Sequence, residues 1–363
     1  MKILQIIPDF GMGGAETMCE GLCRELTRRG HSVVAVSLYS HHTPITDRME
    51  ADGLKVRYLG KRRGLAPGCI GRLRQLILEE KPDVLHTHLH ALKYAALANL
   101  GLGLPLLHTV HNQADREAAR LDRFLSRFLF TRGFATPVSL SREIQKSVMT
   151  LYGLKEEATP VVHNGIDLSR CRVKSHDAVH YPVRLIHVGR FYEQKNHACI
   201  LEALALLQKR GQNVTVSCYG DGPLMGKIRQ QAATMGLENR MLFQGVAGDI
   251  FPQLEKSDIF ILPSKWEGIP MTVIEAMGSG LPVIASRVGG LEDMITDGVS
   301  GLLIAPQPEA LAEAVCRLIG DEALRERLGE NARQAAKAFS METMADGYLN
   351  LYQKKVGAHH ANS

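Results

Sequence analysis

Apolar positions along this chain fall into two spacings. Short continuous runs rich in Val, Ile and Leu read as strands buried on both faces. Between them apolar residues recur every three or four positions, the spacing of a helix with one face on a core. In the first half the strand runs are Lys2–Ile7, Ser32–Ser37, Val56–Tyr58, Asp83–His86, Leu106–Val110 and Thr136–Val138. Helical patterns follow Gly14 to about Arg29, cover Ile70–Glu80 and run from Leu92 to about Leu100. After Asn164-Gly165-Ile166-Asp167 and a polar stretch to Tyr181 the pattern restarts. Its strands are Val183–Val188, Val214–Tyr219, Met241–Gln244, Ile259–Leu262, Pro282–Ala285 and Gly301–Ile304, with helices over Ala198–Arg210 and from Met271. Such alternation predicts βαβ units, so the fold class is α/β with two doubly wound, Rossmann-like domains. The expected domains are 1–168 and 169–340, followed by a C-terminal helix over 341–363 that could cross back to the first domain. Its end, after Val356, is expected to fray. Ligands of open α/β sheets bind beyond the C-terminal strand ends, and a cleft is expected there.

A length of 363 residues exceeds what one core organises, which fits two domains. The composition, 45% hydrophobic and 22% charged, is that of a soluble globular protein. No run of eighteen apolar residues occurs, so no spanning helix is expected. The opening MKILQIIPDF reads as a buried strand and not as a secretory signal. Seven scattered cysteines without a CxxC pair imply reduced thiols in a cytoplasmic protein, without a disulfide frame or zinc site. The net charge of +5 lies in the first half: residues 1–168 hold 22 Lys and Arg against 17 Asp and Glu, whereas the rest hold 21 of each. Lys61-Arg62-Arg63, Arg72 and Arg74 form the densest piece. A patch of this kind predicts peripheral contact between the N-terminal domain and an anionic membrane, at roughly 1 kcal/mol per basic residue. Aromatic residues do not interleave with it, so no nucleic acid is expected.

The stretch Ser264–Gly280, SKWEGIPMTVIEAMGSG, sets Glu267 and Glu275 eight positions apart around a helix start, with Pro270 suited to a first helical position. The N–H groups of such a start bind anions, and two carboxylates beside them suit sugar hydroxyls. Gly189-Arg190 ends the first strand of the second half and Lys195 follows five residues on, two cations able to clamp a diphosphate. Tyr219-Gly220-Asp221-Gly222-Pro223 closes the next strand, its glycines permitting close backbone approach. In the first half Gly11-Met12-Gly13-Gly14-Ala15-Glu16 lies between strand and helix, where glycines admit a phosphate. Glu16 stands where a dinucleotide fingerprint needs its third glycine, and the second strand ends without an acidic residue, which argues against NAD. His86, His88 and His90 alternate and would share one face of an extended segment. No acidic residue or cysteine stands close enough to complete a metal site, and no metal is expected. His111 and Asn112 follow a buried strand.

Taken in order, these motifs resemble the retaining nucleotide-sugar glycosyltransferases of family 4, with the GT-B fold. The resemblance runs from Gly11 to about Gly301 and rests on the G-G-A-E loop, T-x-H at Thr109–His111, N-G-I-D at Asn164–Asp167, G-R-x4-K at Gly189–Lys195 and E-x7-E at Glu267–Glu275. It implies transfer of a hexosyl unit from a nucleotide diphosphate sugar, with a UDP-sugar favoured and GDP-mannose the other choice. The acceptor implied is a hydroxyl of a glycan or lipid-linked intermediate in bacterial surface polysaccharide or lipopolysaccharide assembly. No cofactor is required on this reading, since protein cations replace a metal ion. The resemblance implies catalytic roles for His111, Arg190, Lys195 and Glu267. Donor contacts are implied for Gly13, Gly14, Gly189, Gly220, Asp221, Gly222, Gly268, Met271, Thr272 and Glu275. Acceptor contacts are implied for Glu16, His88 and Asn112. Many members have Phe-Gly where this chain has Ile269-Pro270, which leaves the donor sugar open. A nucleotide-sugar epimerase or hydrolase on the same scaffold, or a non-catalytic partner subunit, are the rival readings.

Overall fold

The computed structural model describes residues 1–362 apart from 12, 63, 65, 118–119 and 174–179. Met12 of the glycine loop, Arg63 of the basic run and the middle of the polar stretch before Tyr181 therefore lie outside the described residues. The chain divides into two compact units: Met1–Gly165 joined by the chain from Met341 onward, and Ile166–Ser340.

The first unit holds a parallel sheet of β1 (Lys2–Ile7), β2 (Ser32–Ser37), β3 (Lys55–Tyr58), β4 (Val84–His88), β5 (Leu106–Val110) and β6 (Thr136–Ser139), in the order β3-β2-β1-β4-β5-β6. The second repeats the plan with β7 (Val183–Val188), β8 (Val214–Tyr219), β9 (Met241–Gly245), β10 (Ile259–Leu262), β11 (Val283–Ser286) and β12 (Leu302–Ile304), ordered β12-β11-β10-β7-β8-β9. Helices cover both faces, so most strand positions are apolar and each sheet centres its own core. In each sheet the winding reverses beside its first strand, between β1 and β4 and between β7 and β10, and the loops that leave those strands diverge there.

Several elements differ from expectation. β4 runs on to His88, because Thr87 and His88 stay in register with His108 and Thr109 of β5. Helices Pro44–Ala51, Arg120–Thr131 and Arg142–Tyr152 form where the apolar spacing is diluted by polar residues. The segment after Val356 is helical, continuing Met341–Asn362. Tyr348 and Tyr352 anchor this helix in the core of the first unit, and Arg29 holds its outer side through Asp346 and the Glu342 carbonyl (2.9 Å). Three cations of the basic run are also tied to nearby groups, neutral partners that leave their charge in place. Lys61 donates to the Tyr39 hydroxyl (3.1 Å) and lies over its ring, Arg72 donates to the Leu59 carbonyl (2.6 Å), and Arg74 to those of Ala98 and Leu100 (2.9 and 2.7 Å).

Candidate functional site

In the second unit, the loops after β7 and β8 are zipped together. Gly189 N–H donates to the Tyr219 carbonyl (2.9 Å), Phe191 N–H to Asp221 (2.9 Å) and Leu224 N–H to Phe191 (3.1 Å). Gly220 and Gly222 hold φ of 138° and 155°, and a Cβ on Gly222 would stand 2.7 Å from the Phe191 carbonyl oxygen. Their amides are occupied too, Gly220 by the Gly245 carbonyl (2.8 Å) and Gly222 by the Asp221 carboxylate (2.7 Å). The conformation of these glycines is thus required by the neighbouring loop, whose backbone fills the space a side chain would take. Arg190 projects from this seam, exposed, over the Tyr192 ring at 5.3 Å, with no carboxylate partner among the described residues.

The turn Glu193–Lys195 then ties β7 to the exit of β10. Asn196, at φ 54°, donates to the Pro263 carbonyl (3.1 Å), and Lys265 N–H donates to the Gln194 carbonyl (2.8 Å). Lys195 Nζ lies 2.5 Å from Glu267 Oε1. The same carboxylate accepts from Ser264 Oγ (2.6 Å) and Gln194 Nε2 (3.3 Å) and is only 6% exposed. A carboxylate offers about four lone-pair positions, so Glu267 has room for one further donor. Beneath the turn, His197 stacks on Phe191 at 3.8 Å and meets His187 edge-on at 4.7 Å. Burial holds both histidines neutral, at about 2 and about 4 respectively.

Pro270 is the N-cap of helix Met271–Gly278 and not its first turn, with φ −74° and ψ 119°. Gly268 precedes it with open space where a side chain would stand. The first amides of the helix, Met271 and Thr272, have no intrahelical acceptor, and the buried Thr272 hydroxyl has no partner among the described residues. Glu275 lies one turn further on. Burial, with no hydrogen bond to the carboxylate among the described residues, pushes it up to about 7; Arg170 pulls the other way and Asp249 adds to the rise. Gly189, Arg190, Lys195, Asp221, Glu267, Gly268, Met271, Thr272 and Glu275 are therefore all placed at the exits of β7, β8 and β10.

The first unit gathers the remaining residues at the exits of β1, β4 and β5. Gly13 is the N-cap and Gly14 the first residue of helix Gly14–Arg28. The Glu16 carboxylate folds back over Gly13, where burial raises its pKa against the pull of its own backbone amide. The helix start thus already faces an anion. His111 is partly buried, its Nε2 3.2 Å from His88 Nδ1, and burial with His108 nearby holds it neutral down to about 3. Asn112 beside it is exposed. His88, expected against the acceptor, is fully buried, and its other nitrogen lies 2.9 Å from Gln5 Oε1. With both ring nitrogens engaged it can act only through His111. His90 leaves the shared face, because Leu89 at φ 51° turns the chain out of β4. Composition and spacing pointed to none of Gln194, His187, His197, Gln5, Tyr348 or Tyr352. Gln194, Gln5 and the two tyrosines work through partners distant in sequence.

The family described as Glycosyl transferases group 1 matches residues 174–335, and the one described as Glycosyltransferase Family 4 matches residues 12–170. An Escherichia coli UDP-Gal:alpha-D-GlcNAc-diphosphoundecaprenol alpha-1,3-galactosyltransferase is 27% identical over 302 residues, 77% of each chain. A Mycobacterium tuberculosis glycogen synthase is 26% identical over 335 residues, 89% of this chain and 80% of the relative. The crystal structure of Anabaena HepE in complex with UDP superposes with a TM-score of 0.85 at 22% identity, over 98% of this chain and 100% of that one, a likeness of fold.

Proposed function

Because this chain belongs to the glycosyl transferases group 1 family and has the GT-B fold, we propose that it moves a hexosyl unit from a nucleotide diphosphate sugar to an acceptor hydroxyl with retention. The observation that supports this most is Arg190, a cation without a carboxylate partner among the described residues, on the same strand edge as Lys195 and the open amides of Met271 and Thr272. Departure of a nucleoside diphosphate adds one negative charge to a phosphate that already carries one, while the sugar becomes cationic. Preorganised donors aimed at that charge lower the barrier of such a reaction more than any other device. Arg190 offers a bidentate fork, Lys195 a point charge fixed by Glu267, and the helix start two amides. Glu275 accepts from the ribose hydroxyls, and Glu267 keeps one acceptor position for the hexose. Of the carboxylates in this group, Asp221 accepts from the Gly222 amide, Glu267 is held by Lys195 and Glu275 is given to the ribose, which leaves none as a nucleophile among the described residues. Retention then proceeds by front-face attack in which the leaving phosphate oxygen takes the acceptor proton. No cofactor enters this scheme.

A UDP-sugar is the favoured donor, and a glycan or lipid-linked intermediate of bacterial surface polysaccharide the favoured acceptor. This suits work at the inner face of a membrane. The surface for such contact moves from the Lys61 run to helix Arg120–Thr131, where Phe124 and Phe128 are 78% and 48% exposed and Arg127 lies between them. Phe134 and Arg132, both exposed, extend it. Rings beside arginines match the boundary between acyl chains and anionic headgroups.

Calorimetry with UDP, GDP, ADP and NAD in the presence of EDTA, followed by turnover of the matching sugar nucleotides, tests the reading. Arg190→Ala should lower kcat roughly 100-fold with an unchanged Tm. Lys195→Ala should lose as much activity and also destabilise the fold, because it strips the buried Glu267 of its cation. Consumption of donor at full rate without any acceptor, or NAD binding, would overturn the transferase assignment.

A further inference from the structure

Buried parallel strands are ordinarily apolar on both faces. In the first unit, one face of the sheet departs from this at its centre. Register sets Gln5 of β1 beside His86 of β4, and His88, two residues on, beside Thr109 of β5, so all four side chains stand on the same face. Each is fully buried. The C-terminal helix Met341–Asn362 lays Tyr348 and Tyr352, one turn apart and also fully buried, over them.

The polar atoms join into one chain. His111 Nε2 meets His88 Nδ1 (3.2 Å), and His88 Nε2 meets Gln5 Oε1 (2.9 Å). Gln5 Nε2 donates to the Tyr352 hydroxyl (3.1 Å), which meets His86 Nδ1 (2.7 Å). His86 Nε2 meets Thr109 Oγ1, and that hydroxyl meets Tyr348, each at 2.7 Å. Every link needs one donor and one acceptor, and the Gln5 amide, with its oxygen toward His88 and its nitrogen toward Tyr352, sets the direction. The Gln5 carbonyl oxygen can only accept, so His88 Nε2 carries a proton. His88 is neutral, since burial and the neighbouring histidines His86, His111 and His108 all disfavour its charged form. Its Nδ1 is therefore a lone pair, and His111 Nε2 must donate to it. At the far end, Tyr352 receives the Gln5 amide proton and donates its own to His86, whose Nε2–H then donates to Thr109. Reversing His111 requires the Gln5 amide to turn over and the protons along the whole chain to move with it.

We propose that Gln5 and Tyr352 are positioning residues which, through His88, hold His111 as its Nε2–H tautomer and so make its Nδ1 a hydrogen-bond acceptor. The significance of this lock for transfer rests on the proposed place of His111 beside the reacting sugar. In that tautomer the ring cannot donate from Nδ1 to a leaving phosphate, so the lock limits what the ring can do in the transfer.

Long-range proton–nitrogen correlation spectra of the histidine-labelled full chain, with His111 assigned from His111→Gln, read the tautomer directly. The wild type should show a protonated Nε2 and an unprotonated Nδ1 on His111. Tyr352→Phe and Gln5→Met should each convert it to a mixture of tautomers. In the same variants kcat should fall between about 10- and 100-fold, the range for losing an outer partner that orients an imidazole, with KM for the nucleotide sugar unchanged. A wild-type ring protonated on Nδ1, or a tautomer indifferent to Tyr352→Phe, overturns the lock. A tautomer that shifts while kcat holds would instead support the lock and remove His111 from the reaction.

Discussion

Glu275 offers a direct reading of how the second unit meets its ligand. With its pKa pushed up to about 7 by burial, the carboxyl is about nine-tenths protonated at pH 6 and about one-tenth at pH 8. Ribose hydroxyls donate to the ionised form and favour it, which returns the pKa toward the usual carboxylate value of about 4.3. Binding at pH 6 should then release about 0.9 proton, and at pH 8 about 0.1. The linked affinity should weaken roughly tenfold from pH 8 to pH 6, or about 1.4 kcal/mol. The sign for stability follows the same group. A carboxyl raised in the folded state favours folding most below its unfolded pKa, and that contribution is lost as pH rises through 7. The loss is about 3 kcal/mol at most. Titration calorimetry with UDP-glucose at both pH values, in two buffers of unequal ionisation enthalpy, counts the protons. A sugar nucleotide suits this better than UDP, whose terminal phosphate itself titrates near about 6. Glu275→Gln should abolish the release and bind some 10- to 100-fold more weakly at pH 8, the loss of a charge-assisted hydrogen bond. Equal proton release by wild type and variant at pH 6 would refute the assignment of Glu275 to the ribose.

Two further outcomes are expected. Gly222→Ala, forced against the Phe191 backbone at a φ that L-residues rarely adopt, should destabilise the second unit by roughly 2–4 kcal/mol, seen as a lowered calorimetric Tm, while nucleotide affinity in the surviving folded fraction is kept. The double variant Phe124→Ser with Phe128→Ser should reduce co-sedimentation with vesicles containing phosphatidylglycerol several-fold, with Tm unchanged, and equal sedimentation of both proteins would dismiss helix Arg120–Thr131 as the contact surface.

Most strands were legible because a strand buried on both faces leaves a continuous apolar run, as in Ile259–Leu262. Helices Pro44–Ala51 and Arg142–Tyr152 were not, since each buries only a narrow stripe among charges and pattern alone does not mark it. The grouping of Arg190, Lys195, Glu267 and Glu275 could be read because strand exits gather whatever follows them. What each group touches could not. Glu267 is held by Lys195, 72 positions away, and His88 is closed off by Gln5, 83 residues away. Gly220 and Gly222 were recognisable as special backbone positions, yet only the folded chain reveals that the space they leave is filled by Gly189 and Phe191.

The partnership of Gln5 with Tyr352 spans 347 positions and sets the order of events on the ribosome. At synthesis rates of roughly 5–20 residues per second, roughly 20–70 s separate the two side chains. Throughout that interval the first sheet can pair its strands while Gln5 and His86 stay without their tyrosine. The second unit, Ile166–Ser340, is unbroken in sequence and can complete its core before the first one closes. Vectorial synthesis thus finishes the middle of this chain before its beginning, and the nascent first unit is the part most exposed to chaperones and proteases.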